Sequence, residues 1–278
     1  MTLGEALRRG ARRLGGETPL IDARVLLQAA TGLSRTDLVA RDRDPIDPVH
    51  RDLFDRFVAR RAAGEPVSQI VRAREFWGRV FKVTPDVLTP RPETEMLVEA
   101  ALGALPRRGY VLDAGTGSGC ILLSLLAERP SALGVGTDLS AAALRVAHRN
   151  ATAIGVTDRA RLIQSDWFEN VQGQYDLIVS NPPYISEAEM ADLAPEVARH
   201  DPAVALTPGG DGLDAYRAIL FGAPAYLRHN GRLVLEIGWT QGPAVAALAQ
   251  KAGYTNVEVR PDLGGRDRVV TAICDRTP

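Results

Sequence analysis

The tetrapeptide Asn181-Pro182-Pro183-Tyr184 directly follows the apolar run Asp176 to Ser180. It is an array of acceptors. Proline has no backbone N–H, so Pro182 and Pro183 offer carbonyls alone, and Asn181 adds a side-chain carbonyl. Two acceptors side by side suit an NH₂ group whose two hydrogens must both be held. Tyr184 adds a flat face for a planar group. The lone pair of an amide or exocyclic amine nitrogen is delocalised, which makes that nitrogen a poor nucleophile. Holding its hydrogens orients it and stabilises positive charge as it reacts, with no activated base. In isolation Asn-Pro and Pro-Pro are turn punctuation. At the end of a strand and downstream of a ligand loop, they form a substrate cradle.

The ligand loop is Asp113-Ala114-Gly115-Thr116-Gly117-Ser118-Gly119, where the apolar run from Tyr110 meets a helical pattern. Glycines let the backbone bend tightly and let a ligand approach bare amides, and the helix N-terminus favours negative charge. The spacing is G-x-G-x-G, which departs from the G-x-G-x-x-G dinucleotide fingerprint. By itself it is also compatible with a plain strand-to-helix turn. Asp138 closes the next strand and can accept from both hydroxyls of a ribose. It can equally cap the following helix, although Ser140 is available for that. After the third strand, Asp166 can accept from an adenine amino group, and Trp167 can offer its N–H and cover the ring. A polar loop with a packing Trp is the alternative there. Together these positions point to a nucleoside-containing ligand.

The elements that must position these residues follow from periodicity. From Tyr110 onward, short apolar strands alternate with helices: Tyr110 to Ala114, Leu133 to Thr137, Ala160 to Gln164, Asp176 to Ser180 and Leu233 to Ile237 as strands, with helices Ile121 to Glu128, Ala141 to Ala153 and Gln241 to Ala252. Val257 to Arg260 and Val269 to Cys274 end the chain as strands. This rhythm predicts an α/β fold with a mostly parallel sheet covered on both faces. The first ~60 residues instead carry helical spacing: Leu3, Leu7 and Leu14, then Ala23, Leu26, Leu27 and Ala30, a short helix capped by Ser34, and a helix from Pro48 to Ala63. Val67 to Val71 and Phe76 to Val83 read as short β-like runs, the second with a hairpin turn at Gly78. The expected division is a helical domain over 1–64, a β-hairpin linker over 65–92 and a catalytic domain over 93–278.

The 278 residues carry 33 Lys plus Arg against 34 Asp plus Glu, a formal net charge of −1. A uniformly basic nucleic-acid coat is thereby excluded. The average conceals a split. Residues 1–82 hold 16 basic and 11 acidic side chains, and residues 83–278 hold 17 and 23. Two cysteines, Cys120 and Cys274, are too few for a disulfide framework or a four-thiolate zinc site, and no metal is expected. The arginine-bearing start has no apolar run and is not a signal peptide. No stretch approaches the ~20 apolar residues of a membrane span. The expected location is cytoplasmic.

The Gly115–Gly119 turn, Asp138 and the Asp166-Trp167 pair resemble those of class I S-adenosylmethionine-dependent methyltransferases. That resemblance implies a Rossmann-like seven-stranded sheet with one antiparallel strand near the end, which fits Val269 to Cys274. It also implies contacts from Gly115, Thr116, Gly117, Ser118 and Gly119 to the methionine end of S-adenosylmethionine, with ribose at Asp138 and adenine at Asp166 and Trp167. Further segments, Leu88-Thr89-Pro90-Arg91-Pro92-Glu93-Thr94-Glu95, Gly209-Gly210-Asp211-Gly212-Leu213, Glu236-Ile237-Gly238 and Asp262-Leu263-Gly264-Gly265-Arg266, extend the likeness over essentially the whole chain. With the helical N-terminus, they resemble the peptide chain release factor glutamine methyltransferase (PrmC/HemK) family. The resemblance implies methylation of the glutamine amide in the Gly-Gly-Gln loop of release factors one and two. It assigns catalysis to Asn181, Pro182 and Tyr184, the glutamine cradle to Asn181 through Tyr184, and places Asn181 beside the transferring methyl. Phe76 and Arg91 are expected to border the substrate channel.

A sister enzyme acting on ribosomal protein L3 shares the catalytic motifs, and the short helical N-terminus favours the release-factor reading. An adenine DNA methyltransferase would need a target-recognition insert and a basic groove, and the catalytic half carries a net of −6 instead. A cofactor-binding module without catalysis does not account for an intact Asn-Pro-Pro-Tyr. A monomer that binds neither nucleic acid nor membrane is expected. The +5 charge of residues 1–82, with Arg8, Arg9, Arg12 and Arg13, suits an acidic release-factor surface outside the glutamine loop.

Overall fold

The computed structural model describes residues 1–275. These form two compact units: Met1–Ala73 with Ala194–His200, and Arg74–Leu193 with Asp201 onward.

The first unit holds helices α1 (Leu3–Arg13), α2 (Pro19–Thr31), α3 (Arg35–Ala40), α4 (Pro48–Ala62) and α5 (Val67–Val71). Their ends are set locally. Thr2 with Glu5, and Ser34 with Asp37, form capping boxes, and Asp47 accepts from Val49 N. These bonds satisfy N–H groups that a helix start leaves orphaned. Gly32 closes α2 in the left-handed region. Leu3, Ala6, Leu26, Leu27, Phe54, Val58 and Ile70 make the core of the unit. Val67–Val71 is helical, contrary to the β-like reading. The β-branched residues favour a strand in isolation, but Ser68, Gln69 and Ile70 are buried, and this tertiary context overrides propensity.

A hairpin follows, β1 (Ala73–Phe76) and β2 (Arg79–Lys82), turned by left-handed Trp77 and Gly78, and from Arg74 onward it belongs to the second unit. After a 3₁₀ turn at Pro92–Thr94 come α6 (Glu95–Ala104), β3 (Tyr110–Ala114), α7 (Cys120–Glu128), β4 (Leu133–Asp138), α8 (Ala141–Ile154), β5 (Ala160–Gln164) and β6 (Tyr175–Ser180). Next in the chain are α9 (Glu187–Met190) and α10 (Pro195–His200), the latter counted with the first unit. Then follow α11 (Asp214–Gly222), β7 (Leu227–Glu236), α12 (Gly242–Lys251), β8 (Thr255–Pro261) and β9 (Asp267–Cys274). β7 begins well before the expected Leu233, and α11 is an element that the sequence reading does not include.

The seven-stranded sheet has the order β5-β4-β3-β6-β7-β9-β8. β9 is antiparallel to both its neighbours, and the remaining pairs are parallel. Side chains alternate between the faces, as pleating requires. Val111, Leu177, Val179 and Val234 pack with α6 and α7, whereas Leu112, Ile178, Leu233 and Leu235 pack with α11 and α12. The strand order reverses between β3 and β6. A doubly wound sheet opens a crevice there, at the carboxyl ends of its strands, and both chemical motifs sit at that edge.

Candidate active site

A cavity of about 500 Å³ lies at this edge. Gly115, Thr116, Gly117 and Ser118 form part of its wall, together with Asp138, Asp166, Trp167, Asn181 and Pro183. The structure therefore brings together residues from the loops after four strands. Gly119, Pro182 and Tyr184 do not line it. Gly119 instead permits close packing, since a Cβ on it would stand 2.8 Å from Leu123 Cδ1 and 3.3 Å from Ala147 Cβ. It lets α7 and α8 approach closely. Arg91 lines the cavity and is bound to Asp201 at 2.6 Å. Phe76 is buried against Phe81 and is not part of the lining.

The glycine loop is held from beneath. Gly115 N and Thr116 N both donate to the Thr137 carbonyl, at 2.9 and 2.7 Å. Asp113 is fully buried; its Oδ2 accepts from Thr116 Oγ1 at 2.6 Å and from Leu122 N at 3.3 Å. Burial raises its carboxyl to about 7 against those two hydrogen bonds. Asp138 accepts from Gly117 N through Oδ2 and from Ser140 N through Oδ1, both at 2.8 Å. Ser140 caps α8 by accepting from Ala143 N, so Asp138 is not needed as the cap. Burial raises the Asp138 carboxyl, opposed by the same two N–H groups. Each carboxylate oxygen has two lone pairs, and one hydrogen bond leaves capacity for a ligand hydroxyl. Trp167 stands at positive φ, with its ring 3.7 Å from where a Cβ on Gly115 would be.

Asn181 donates from Nδ2 to Thr94 Oγ1 at 3.3 Å, which leaves its carbonyl end for other partners. Pro182 is buried and Pro183 partly exposed to the cavity. The Tyr184 carbonyl accepts from Gln241 Nε2 at 2.9 Å, and its ring packs onto the α11–α12 side of the core. Burial pushes its hydroxyl up to about 12, so it stays protonated at neutral pH. Gly212 passes beside this loop at φ 78, and a Cβ there would lie 2.5 Å from the Tyr184 carbonyl oxygen. The Gly209–Leu213 segment thus braces the tetrapeptide from behind.

Comparison with known sequences agrees with this geometry. The PrmC N-terminal domain profile matches residues 5–71, and the methyltransferase small domain profile matches residues 92–213. A release factor glutamine methyltransferase of Cereibacter sphaeroides is 55% identical over 98% of both chains. The chain belongs to the release factor glutamine methyltransferase family. A second member, from Rhodospirillum rubrum, is 46% identical over 98% of this chain and 85% of its own. Among solved structures, a methyltransferase from Pyrococcus furiosus matches with a TM-score of 0.53 at 17% identity, over 70% of this chain and 89% of that one. That likeness supports the fold.

Two residues beside the cradle, Thr94 and Glu236, lie in segments that carry the resemblance, but nothing local shows them to be partners of Asn181. Thr94 touches Asn181, and Glu236, buried at the end of β7, faces both. They come from separate stretches of sequence, and only the folded sheet edge brings them to the tetrapeptide. Among the described residues, no cluster of His, Cys, Asp or Glu could hold a metal ion, and no helix is long and apolar enough to cross a membrane.

Proposed function

We infer that this chain methylates the side-chain amide nitrogen of a glutamine in peptide chain release factors, using S-adenosylmethionine. The observation that carries this reading is whole-length similarity at 55% identity to a release factor glutamine methyltransferase, joined to an acceptor cradle beside a nucleoside-sized cavity. The residues present fit the cofactor. The Asp138 carboxylate can accept from ribose hydroxyls, Asp166 from an adenine amino group, and Trp167 covers a ring. Gly117 leaves open space where a side chain would stand, so a ligand can approach its backbone. When bound, S-adenosylmethionine supplies an electrophilic methyl group.

The chain's own residues do the rest. The Asn181 side-chain carbonyl and the Pro182 carbonyl hold the two amide hydrogens of the glutamine, and Pro183 and Tyr184 complete the cradle. Positive charge developing on the amide nitrogen is stabilised by these oriented carbonyls, and once methylated the nitrogen gives up one of its two hydrogens as a proton to water. Glutamine in the Gly-Gly-Gln loop of release factors one and two is the substrate. The helical domain, residues 1–64, recognises the factor and residues 93–278 carry catalysis. The enzyme works as a cytoplasmic monomer, without nucleic acid or membrane.

The test is a panel. Enzyme and radiolabelled cofactor are incubated separately with release factor one, release factor two, ribosomal protein L3 and DNA. Label is expected in the release factors, whereas label in L3 or DNA alone overturns the reading.

A further inference from the structure

Glu236 is 2% exposed at the end of β7, a costly place for a carboxylate unless neighbours use it. The Thr94 hydroxyl and the Asn181 amide both face it, and Asn181 Nδ2 donates to Thr94 Oγ1 at 3.3 Å. One carboxylate oxygen, Oε2, has no hydrogen-bond partner among the described residues. The polarity of this row is determined by its members. An ionised carboxylate only accepts, a hydroxyl has one proton to donate, and an amide has one accepting and one donating end. Because Glu236 only accepts, the Thr94 proton turns to it. Thr94 Oγ1 is then left to accept, and the asparagine must offer it Nδ2. The carbonyl end of Asn181 becomes the end available to a substrate NH₂ group. With the amide flipped, N–H would meet N–H.

We propose that Glu236, facing Asn181 directly and also acting through Thr94, is a positioning residue that holds the Asn181 amide with its carbonyl turned to the substrate nitrogen. The proposal rests on the reading of Asn181 as an acceptor for the glutamine amide. It also puts a negative charge near the nitrogen that becomes positive in transfer, which favours the transition state over the ground state.

A pH signature follows. The groups facing Glu236 are Glu93 and Thr94 from the 3₁₀ turn, Cys120 from α7, Asn181 and Tyr184 after β6, Tyr216 from α11 and Arg268 from β9. Burial raises the Glu236 carboxyl to about 7, with Thr94, Arg268 and Asn181 opposing the rise and Glu93 adding to it. Once protonated, Glu236 can donate as well as accept, the Thr94 proton is no longer forced toward it, and the polarity of the row is no longer fixed. Turnover should therefore fall as pH drops below about 7.

The experiment measures kcat and KM for intact release factor across the neutral pH range in wild type, Thr94→Val, Thr94→Ser and Glu236→Gln. Affinity for S-adenosylhomocysteine, by calorimetry, checks that each variant is folded. Thr94→Val should lower kcat at least about tenfold, with KM changing less. Thr94→Ser, which keeps the hydroxyl, should stay within about twofold of wild type. Glu236→Gln should lower the plateau and abolish the acid limb of kcat. Wild-type turnover in Thr94→Val, equal impairment in Thr94→Ser, or an intact acid limb in Glu236→Gln would each overturn the proposal. Should Glu236→Gln not bind S-adenosylhomocysteine, the Thr94 pair decides alone. Asn181→Ala separates the two layers: if it retains full turnover, the acceptor reading itself falls. If it is inactive while Thr94→Val is fully active, only the relay from Glu236 falls.

Discussion

At the scale of single residues, the proposed function divides the site between holding a cofactor and holding an amide. Asn181 is the residue proposed to hold the amide. Asn181→Ala should reduce kcat by about 10²–10³ while calorimetric affinity for S-adenosylhomocysteine stays near wild type. A parallel loss of cofactor affinity would move Asn181 out of the cradle. Asp138 is proposed to hold the cofactor, and its two backbone bonds, to Gly117 and Ser140, hold the glycine loop against β4. Asp138→Ala should weaken S-adenosylhomocysteine binding by about 1.5–3 kcal/mol, the range for a hydrogen bond to a charged group. Binding unchanged in a titration would reduce Asp138 to a loop brace.

At the scale of elements, the cradle depends on what packs behind it. Gly212 is left-handed, and a Cβ would meet the Tyr184 carbonyl at 2.5 Å. Gly212→Ala should cost roughly 1–3 kcal/mol of stability through strain and lower turnover by displacing the tetrapeptide. Thermal unfolding and kcat check both, and a variant unchanged in each would show that the loop can yield. The strands, the glycine turn and the tetrapeptide are legible in the sequence because their signals are local. Tyr110–Ala114 is a compact apolar run ending in an acid and glycines, and Asn-Pro-Pro-Tyr follows another. Val67–Val71 misleads because five β-branched-rich residues look like a strand until neighbouring helices bury them. The α11 helix escapes the sequence reading although Ala215, Ile219 and Leu220 are spaced for one buried face. Thr94 and Glu236 are illegible as partners of Asn181, since their relation exists only across the sheet edge.

At the scale of the whole molecule, residues 1–82 carry a net charge of +5 and residues 83–278 a net of −6. Among the four arginines of α1, Arg8 lies 3.8 Å from Asp42, and Arg9 is bound to Asp55. The recognition surface expected from all four is therefore narrowed to Arg12 and Arg13, which make no ion pair among the described residues. Reversing both charges should raise KM for intact release factor and leave KM for a short loop peptide unchanged; equal effects would make them a solvated helix face. Stability also carries a pH signature. Asp113 keeps its proton up to about 7 when folded, against an ordinary value of 3.8. Between those values the folded state binds more protons than the unfolded one, so the stability that Asp113 contributes is lost as pH rises. The melting temperature of wild type relative to Asp113→Asn should fall across that window and level off above it. A difference that is flat with pH would show that Asp113 ionises normally.

The acceptor cradle is proposed to hold a glutamine amide for methylation by S-adenosylmethionine. Tandem mass spectrometry of release factor one after reaction with the enzyme and S-adenosylmethionine tests it most directly. The added methyl mass is predicted on the side chain of the glutamine in the Gly-Gly-Gln loop. A methyl group on any other residue, or none, would contradict it.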